Sequence, residues 1–203
     1  MLQNRVNPFG EIIFTSARGQ WTGTRGLIHN NQQQITRAFR HKAWITCLLE
    51  FKGRRRTVMS PGLYTELFFL DEATAFAAGH RPCFECRRED AAKFKSCWLQ
   101  GNPQYGFTAK TSVREIDNII HEERMKQFKP TMKQGDHIPD GCFVAIEKNT
   151  YVAIANQFCL WSPFGYAEPV AIAKGASLTI LTPPSIVNSF HSGYFPQIGN
   201  YKI

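Results

Sequence analysis

Residues 68–88, FFLDEATAFAAGHRPCFECRR, decide how this chain folds. Phe68 to Leu70 read as the end of a strand. Asp71 is an oxygen acceptor placed to cap the helix that Glu72 to Ala78 favour, and Gly79 stands where a left-handed residue closes a helix. Pro82 stiffens the turn that follows. Cys83 and Cys86 are spaced so that one tight turn brings both sulfurs to a single metal ion, which is half of a structural zinc site.

Read outward from the same residues, this run resembles the second half of the Ada-type metal-binding domain, the zinc module of bacterial DNA alkylation-response proteins. The resemblance rests on the aromatic pair, the short Ala-rich helix ending in Ala-Gly, and Arg-Pro-Cys-x-x-Cys, and it covers about a tenth of the chain. It implies Zn2+ held by Cys83 and Cys86. The family's upstream cysteine pair has no counterpart in residues 53–67, GRRRTVMSPGLYTEL, so the methyl-acceptor chemistry of that family does not carry over. Two more ligands must come from elsewhere, with His41, Cys47 and His80 as the upstream choices.

Before the motif, AWITCLLEF (residues 43–51) is the strongest strand signal. Ile45, Cys47, Leu49 and Phe51 alternate with Trp44, Thr46, Leu48 and Glu50, and both faces are largely apolar, as in a covered central strand. On this pattern Cys47 also reads as a small core residue. Glu66 lies among apolar neighbours in YTELFFL, and so faces solvent at a sheet edge, pairs with an arginine or joins a site. Residues 4–26 read as the first strands of a sheet, punctuated by Gly19 and Gly23.

Beyond the motif, RREDAAKFKSCWLQ reads as a helix stopped by Gly101-Asn102-Pro103. A second helix, near 112–128, opens with Ser112-x-x-Glu115 as a capping box. On it Asp117, His121 and Arg124 fall at i, i+4 and i+7 and line one face, a carboxylate to orient an imidazole and an arginine for an anion. This is the best catalytic constellation in the chain, and equally the polar side of an ordinary amphipathic helix. The basic tract KQFKPTMKQGDHIPDG, with Lys126, Lys129 and Lys133, reads as a long loop. CFVAIEK and YVAIANQFCL form a hairpin around Asn149-Thr150, in which Cys142 and Cys159 are buried packing residues. WSPFGYAEP reads as an aromatic loop rimming a pocket. A strand over 177–181 and a helix from Pro184 to about His191 end the pattern.

The 203 residues, 43% hydrophobic, suffice for a core without disulfides and suit one domain, 1–203. Six cysteines at irregular spacing, with no signal-like or membrane-length apolar run, are expected of a cytoplasmic protein. A net charge of +8 points to a polyanionic partner. Arg37, Arg40, Lys42, Lys52, Arg54, Arg55 and Arg56 crowd one segment, and Arg87 and Arg88 emerge beside the cysteine turn, so nucleic acid, DNA or RNA, is the expected partner.

The fold class expected is α+β, a mainly antiparallel sheet with about four helices and an embedded Cys-x-x-Cys knuckle. The functional expectation is a zinc-binding basic protein that binds nucleic acid. The alternative is a hydrolase or transferase, acting on nucleic acid or a phosphorylated small molecule, centred on Asp117, His121 and Arg124. The chain carries no phosphate-loop, dinucleotide or nucleophile-elbow signature.

Overall fold

The computed structural model describes residues 1–54, 57–126, 131–132, 137–171 and 177–199. It has two six-stranded sheets and four α-helices among those residues. The first sheet runs β2 (Ile12–Phe14), β1 (Gln3–Val6), β5 (Leu67–Phe69), β3 (Trp21–Thr24), β4 (Ile45–Cys47) and β6 (Arg81–Pro82) from edge to edge. Its β1–β5 and β4–β6 pairs are parallel and the rest antiparallel. The second sheet is antiparallel throughout, in the order β11 (Gly165–Val170), β10 (Gln157–Ser162), β9 (Asn149–Ile154), β8 (Phe143–Ile146), β12 (Leu178–Ile180), β7 (Thr131–Met132). The α+β class with antiparallel pairing dominant is therefore as expected, with the strands divided between two sheets.

The short helix α1 (Glu72–Ala77) joins the two sheets, and its composition explains how. Asp71 caps it by accepting the Thr74 amide at 2.8 Å. At its other end Gly79, at φ +79, donates to Phe76 O while His80 N donates to Ala75 O, the paired bonds of a Schellman stop. Every residue of α1 is buried. Ala73 and Ala77 pack on Phe143, Val152 and Cys159 of the second sheet, while Ala75 and Ala78 pack on Val6, Leu67 and Phe69 of the first. Methyl side chains let both sheets approach one helical turn closely, and Phe76 fills the remaining direction.

Phe76 enters the largest core with α2 (Arg88–Gly101), α3 (Val113–Met125) and α4 (Pro184–His191). Phe94, Trp98, Ile116, Ile120, Ile186 and Phe190 meet Val144, Ala153 and Ile180 there. Phe143 and Ala145 face the α1 side of the same strand, so β8 is buried on both faces. Cys142 and Cys159 are fully buried and form no disulfide, as packing residues should be.

Three local expectations differ from the structure. The strand expected over 43–51 spans only Ile45–Cys47 and lies one short strand from the sheet edge. The chain turns away after Cys47, through left-handed Lys52 and Gly53, and leaves Leu49 half exposed. The hairpin turn is at Glu147–Lys148, between the paired Ile146 and Asn149, and a second two-residue turn at Ala155–Asn156 has the left-handed φ values that hairpins favour. WSPFGYAEP is no loop: Trp161 pairs with Tyr166 across β10 and β11, and Ser162 Oγ closes the turn by donating to Gly165 O. Glu66 is buried, and one of its oxygens accepts the Met59 amide at 2.8 Å.

Candidate metal centre

The β4–β6 pairing builds this site. Ile45 lies beside Arg81 and Thr46 beside Pro82 in parallel register, so the next residues along the two strands, Cys47 and Cys83, leave the sheet side by side. Cys83 N donates to Thr46 O at 2.9 Å and fixes the turn to β4. The turn then closes on itself: Arg87 N donates to Cys83 O, and Cys86 comes back toward Cys83. The Sγ atoms of Cys47, Cys83 and Cys86 lie within 4.8 Å of one another.

That spacing suits one ion. Three thiolates at about 2.3 Å from zinc in tetrahedral geometry sit about 3.8 Å apart. Among the described residues no other histidine, cysteine or carboxylate joins the group. A zinc ion here would have three protein thiolates and one position for water or another ligand.

The surrounding dipoles already favour a thiolate. The Glu85 amide points at Cys83 Sγ, 3.3 Å away. Hydrogen bonding from Cys47, with the Glu85 and Cys86 amides, outweighs burial and lowers the Cys83 thiol to about 5. Cys47, as the donor to that thiolate, is held strongly protonated, first by this hydrogen bond and then by burial. Burial, more than the neighbouring Cys83, raises Cys86, and the Leu48 amide opposes it. One shared negative charge among three sulfurs is what a divalent cation would relieve.

Sequence reasoning named Cys83 and Cys86 as ligands and kept Cys47 among several choices. The signal it lacked was register. His80 lies in the interior, its Nε2 accepting from Arg25 Nε at 3.3 Å, and its ring packs on Phe69 and Trp44. His41 is exposed.

The three residues expected as a catalytic centre share α3, and each has partners of its own. Arg81 Nε and Nη2 each donate to a different oxygen of Asp117, both at 2.7 Å. His121 and Arg124 come together, with Arg124 Nη2 2.9 Å from His121 Nδ1. Arg124 also donates to the carbonyls of Gly79 and Lys42 and lies 3.5 Å over the Trp44 ring. Burial, then the charges of Arg124 and Lys42, lowers His121 to about 4. It is thus neutral at pH 7.

Of the basic residues, Arg37, Arg40, Lys42, Arg54 and Arg88 are exposed. Arg54 pairs with Glu85 at the surface at 2.6 Å. Arg87 is buried, donating to Glu72 at 2.5 Å, to Asp90 at 2.8 Å and to Thr46 Oγ1 at 3.1 Å. Arg55, Arg56, Lys129 and Lys133 lie outside the described residues. No helix among the described residues is long and apolar enough to cross a membrane.

Compared with known proteins, the chain matches no family model, no curated protein and no solved structure.

Proposed function

We propose that this chain is a zinc-supported basic protein that binds nucleic acid. Cys47, Cys83 and Cys86 hold the Zn2+, and Arg37, Arg40, Lys42, Arg54 and Arg88 lie on phosphates, joined by Arg55 and Arg56. The observation that carries the reading is the convergence of three sulfurs, with amides aimed at one of them. Zinc supplies a cross-link between β4 and the turn before α2, next to the arginine-rich segment. In this reading the knuckle is an Ada-like half-site completed by a cysteine from a paired strand. The chain acts as one domain, and its six cysteines, none in a disulfide, fit a reducing, cytoplasmic setting.

A hydrolase or transferase centred on Asp117, His121 and Arg124 has less support, because both Asp117 oxygens are engaged by Arg81. The test takes the purified full chain. Elemental analysis is expected to give about one zinc per chain, falling well below that in Cys47→Ser and in Cys83→Ser. Anisotropy titrations with mixed-sequence DNA and RNA are expected to show binding that weakens linearly in log Kd against log salt. Zinc far below stoichiometry defeats the metal part. Absence of binding at low salt, or binding indifferent to salt, defeats the nucleic-acid part.

A further inference from the structure

A cleft opens where α1, α3 and the two sheets meet. Pro8, Gly10, Trp44, Ala78, Arg124 and Lys126 are among the residues that line it. It shares no residue with the three cysteines.

Lys126, at the rim of this cleft, pairs with Glu122 at 3.9 Å, but among the described residues the two arginines beside it, Arg25 and Arg124, have no such partner. Arg25 and Arg124 stack on Trp44, their guanidinium carbons 3.9 and 3.5 Å from its ring centroid. Among the described residues neither arginine forms an ion pair. Arg124 spends its Nη groups on two carbonyls and on His121, and Arg25 spends Nε on His80. That leaves Arg124 Nε and Arg25 Nη2 buried without an acceptor, and Arg25 as a whole is 2% exposed. Buried cations are ordinarily paired, and an unmet buried N–H is costly. Arg25 Nη2 lies close to the cleft lining: a Cβ added to Gly10 would stand 3.8 Å from it and 3.9 Å from Ala78 Cα.

The nearby acids are engaged elsewhere. Glu123 lines the cleft, but its carboxylate accepts the Ser185 amide and hydroxyl. Asp117 is committed to Arg81. Burial lowers Arg25 to about 9, and burial together with Arg25 lowers Arg124 to about 8 against an opposing effect of the Asp117 charge. An anion would relieve both the repulsion and the missing acceptors.

We infer that this cleft binds a phosphate-type oxyanion, with Arg124 as its principal contact, Arg25 reinforcing the charge beside Trp44, and Lys126 at the rim. The ligand is a phosphate monoester group, whether of a small phosphorylated molecule or at the end of a nucleic-acid strand. The inference stands independently of the zinc reading, since phosphate binding and zinc content are measured separately on the same protein.

The experiment titrates the full chain with inorganic phosphate at constant ionic strength and follows 31P line width. Saturable binding is expected, at least tenfold weaker in Arg124→Gln, which loses a charge-assisted contact. Lys126→Glu, at an exposed position, is expected to weaken it about threefold to tenfold by reversing a rim charge. Absence of saturation in the wild type overturns the inference. So does unchanged affinity in both variants, and if Arg124→Gln fails to fold, unchanged affinity in Lys126→Glu is enough. Adenosine monophosphate and a 5′-phosphorylated oligonucleotide, with its dephosphorylated twin, separate the sources. Tighter binding of the phosphorylated strand than of the mononucleotide, sensitive to the same substitutions, assigns the site to strand ends. Comparable binding of mononucleotide and inorganic phosphate assigns it to small ligands. Equal binding of the phosphorylated and dephosphorylated strands, with no binding of phosphate or mononucleotide, also overturns it.

Discussion

Arg81 faces Asp117 across the boundary between β6 and α3, with two parallel hydrogen bonds of 2.7 Å and both side chains more than nine-tenths buried. Arg81 is two residues before Cys83, so this pair ties the arm that carries the knuckle to the helical core. Removing one partner strands the other charge in the interior. Asp117→Ala is therefore expected to cost about 3–5 kcal/mol of stability, read by urea unfolding. The double substitution Arg81→Met, Asp117→Leu removes both charges and is expected to recover most of that loss. A loss below about 1 kcal/mol for Asp117→Ala would place the pair effectively in solvent.

Glu72 performs a similar task at the other end of the knuckle. Its carboxylate accepts from Arg87 at 2.5 Å, from the Tyr194 hydroxyl at 2.8 Å and from the Gln197 amide at 2.9 Å. It thus joins the first turn of α2 to the segment after α4. Burial and the adjacent Glu72 charge raise the Tyr194 phenol far above its ordinary value, so it stays a donor. Glu72→Ala leaves Arg87 with Asp90 and Thr46 as partners. We expect a loss of about 2–4 kcal/mol, with faster amide exchange over residues 194–199. Unchanged exchange in that segment would show that packing alone holds it.

Much of this was legible in the sequence. Asp71, the Ala-rich turn and Gly79 announce α1 by local chemistry, and Pro184 and His191 bound α4 where the pattern puts them. Short-range signals succeed there because caps and turns act within a few residues. What stayed hidden depends on pairing between distant segments. Alternation in Ile45, Cys47 and Leu49 looks like a strand interior, but only the parallel register with Arg81–Pro82 shows that Cys47 is where the strand ends and the three-cysteine cluster begins. Helical spacing put Asp117 on one face with His121 and Arg124, but could not show that Arg81, 36 residues earlier, binds its carboxylate. A helix face is fixed by its own sequence, whereas the recipient of each hydrogen bond depends on what packs against it.

Acid should expose the two neutral histidines. Burial, with Arg25 and Arg124 nearby, holds His80 well below its ordinary value, and burial with Arg124 and Lys42 lowers His121 to about 4 against a weak opposing effect of Glu122. Both are near 6.5 in the unfolded chain, which therefore binds more protons between pH 6.5 and about 4. Their contribution is complete above pH 6.5 and is lost as pH falls through that window. The slope is up to about 1.4 kcal/mol per pH unit for each histidine. His121→Gln is expected to flatten the wild-type curve of stability against pH in this range. Parallel curves for the two proteins would show that His121 titrates normally when folded.

The arginines offer the sharpest division between contact and scaffold. Arg37, Arg40 and Lys42 are exposed in the segment leading to β4, and Arg88 is exposed at the start of α2, whereas its neighbour Arg87 is enclosed by Glu72, Asp90 and the Trp21 ring. A side chain lying on a phosphate releases condensed counterions, so its removal lowers the dependence of log K on log salt by about 0.9 for duplex DNA and about 0.7 for a single strand. Alanine at Arg37, Arg40, Lys42 or Arg88 is expected to reduce the slope by about that amount and to leave the thermal midpoint nearly unchanged. Arg87→Ala is expected to do the reverse, lowering stability by about 3 kcal/mol or more because it strips Glu72 of its buried counter-charge. Any effect of Arg87→Ala on binding should then follow its loss of folded protein and leave the salt slope of the folded fraction intact. If alanine at the four exposed positions leaves the slope untouched, the phosphates lie on another face of the molecule.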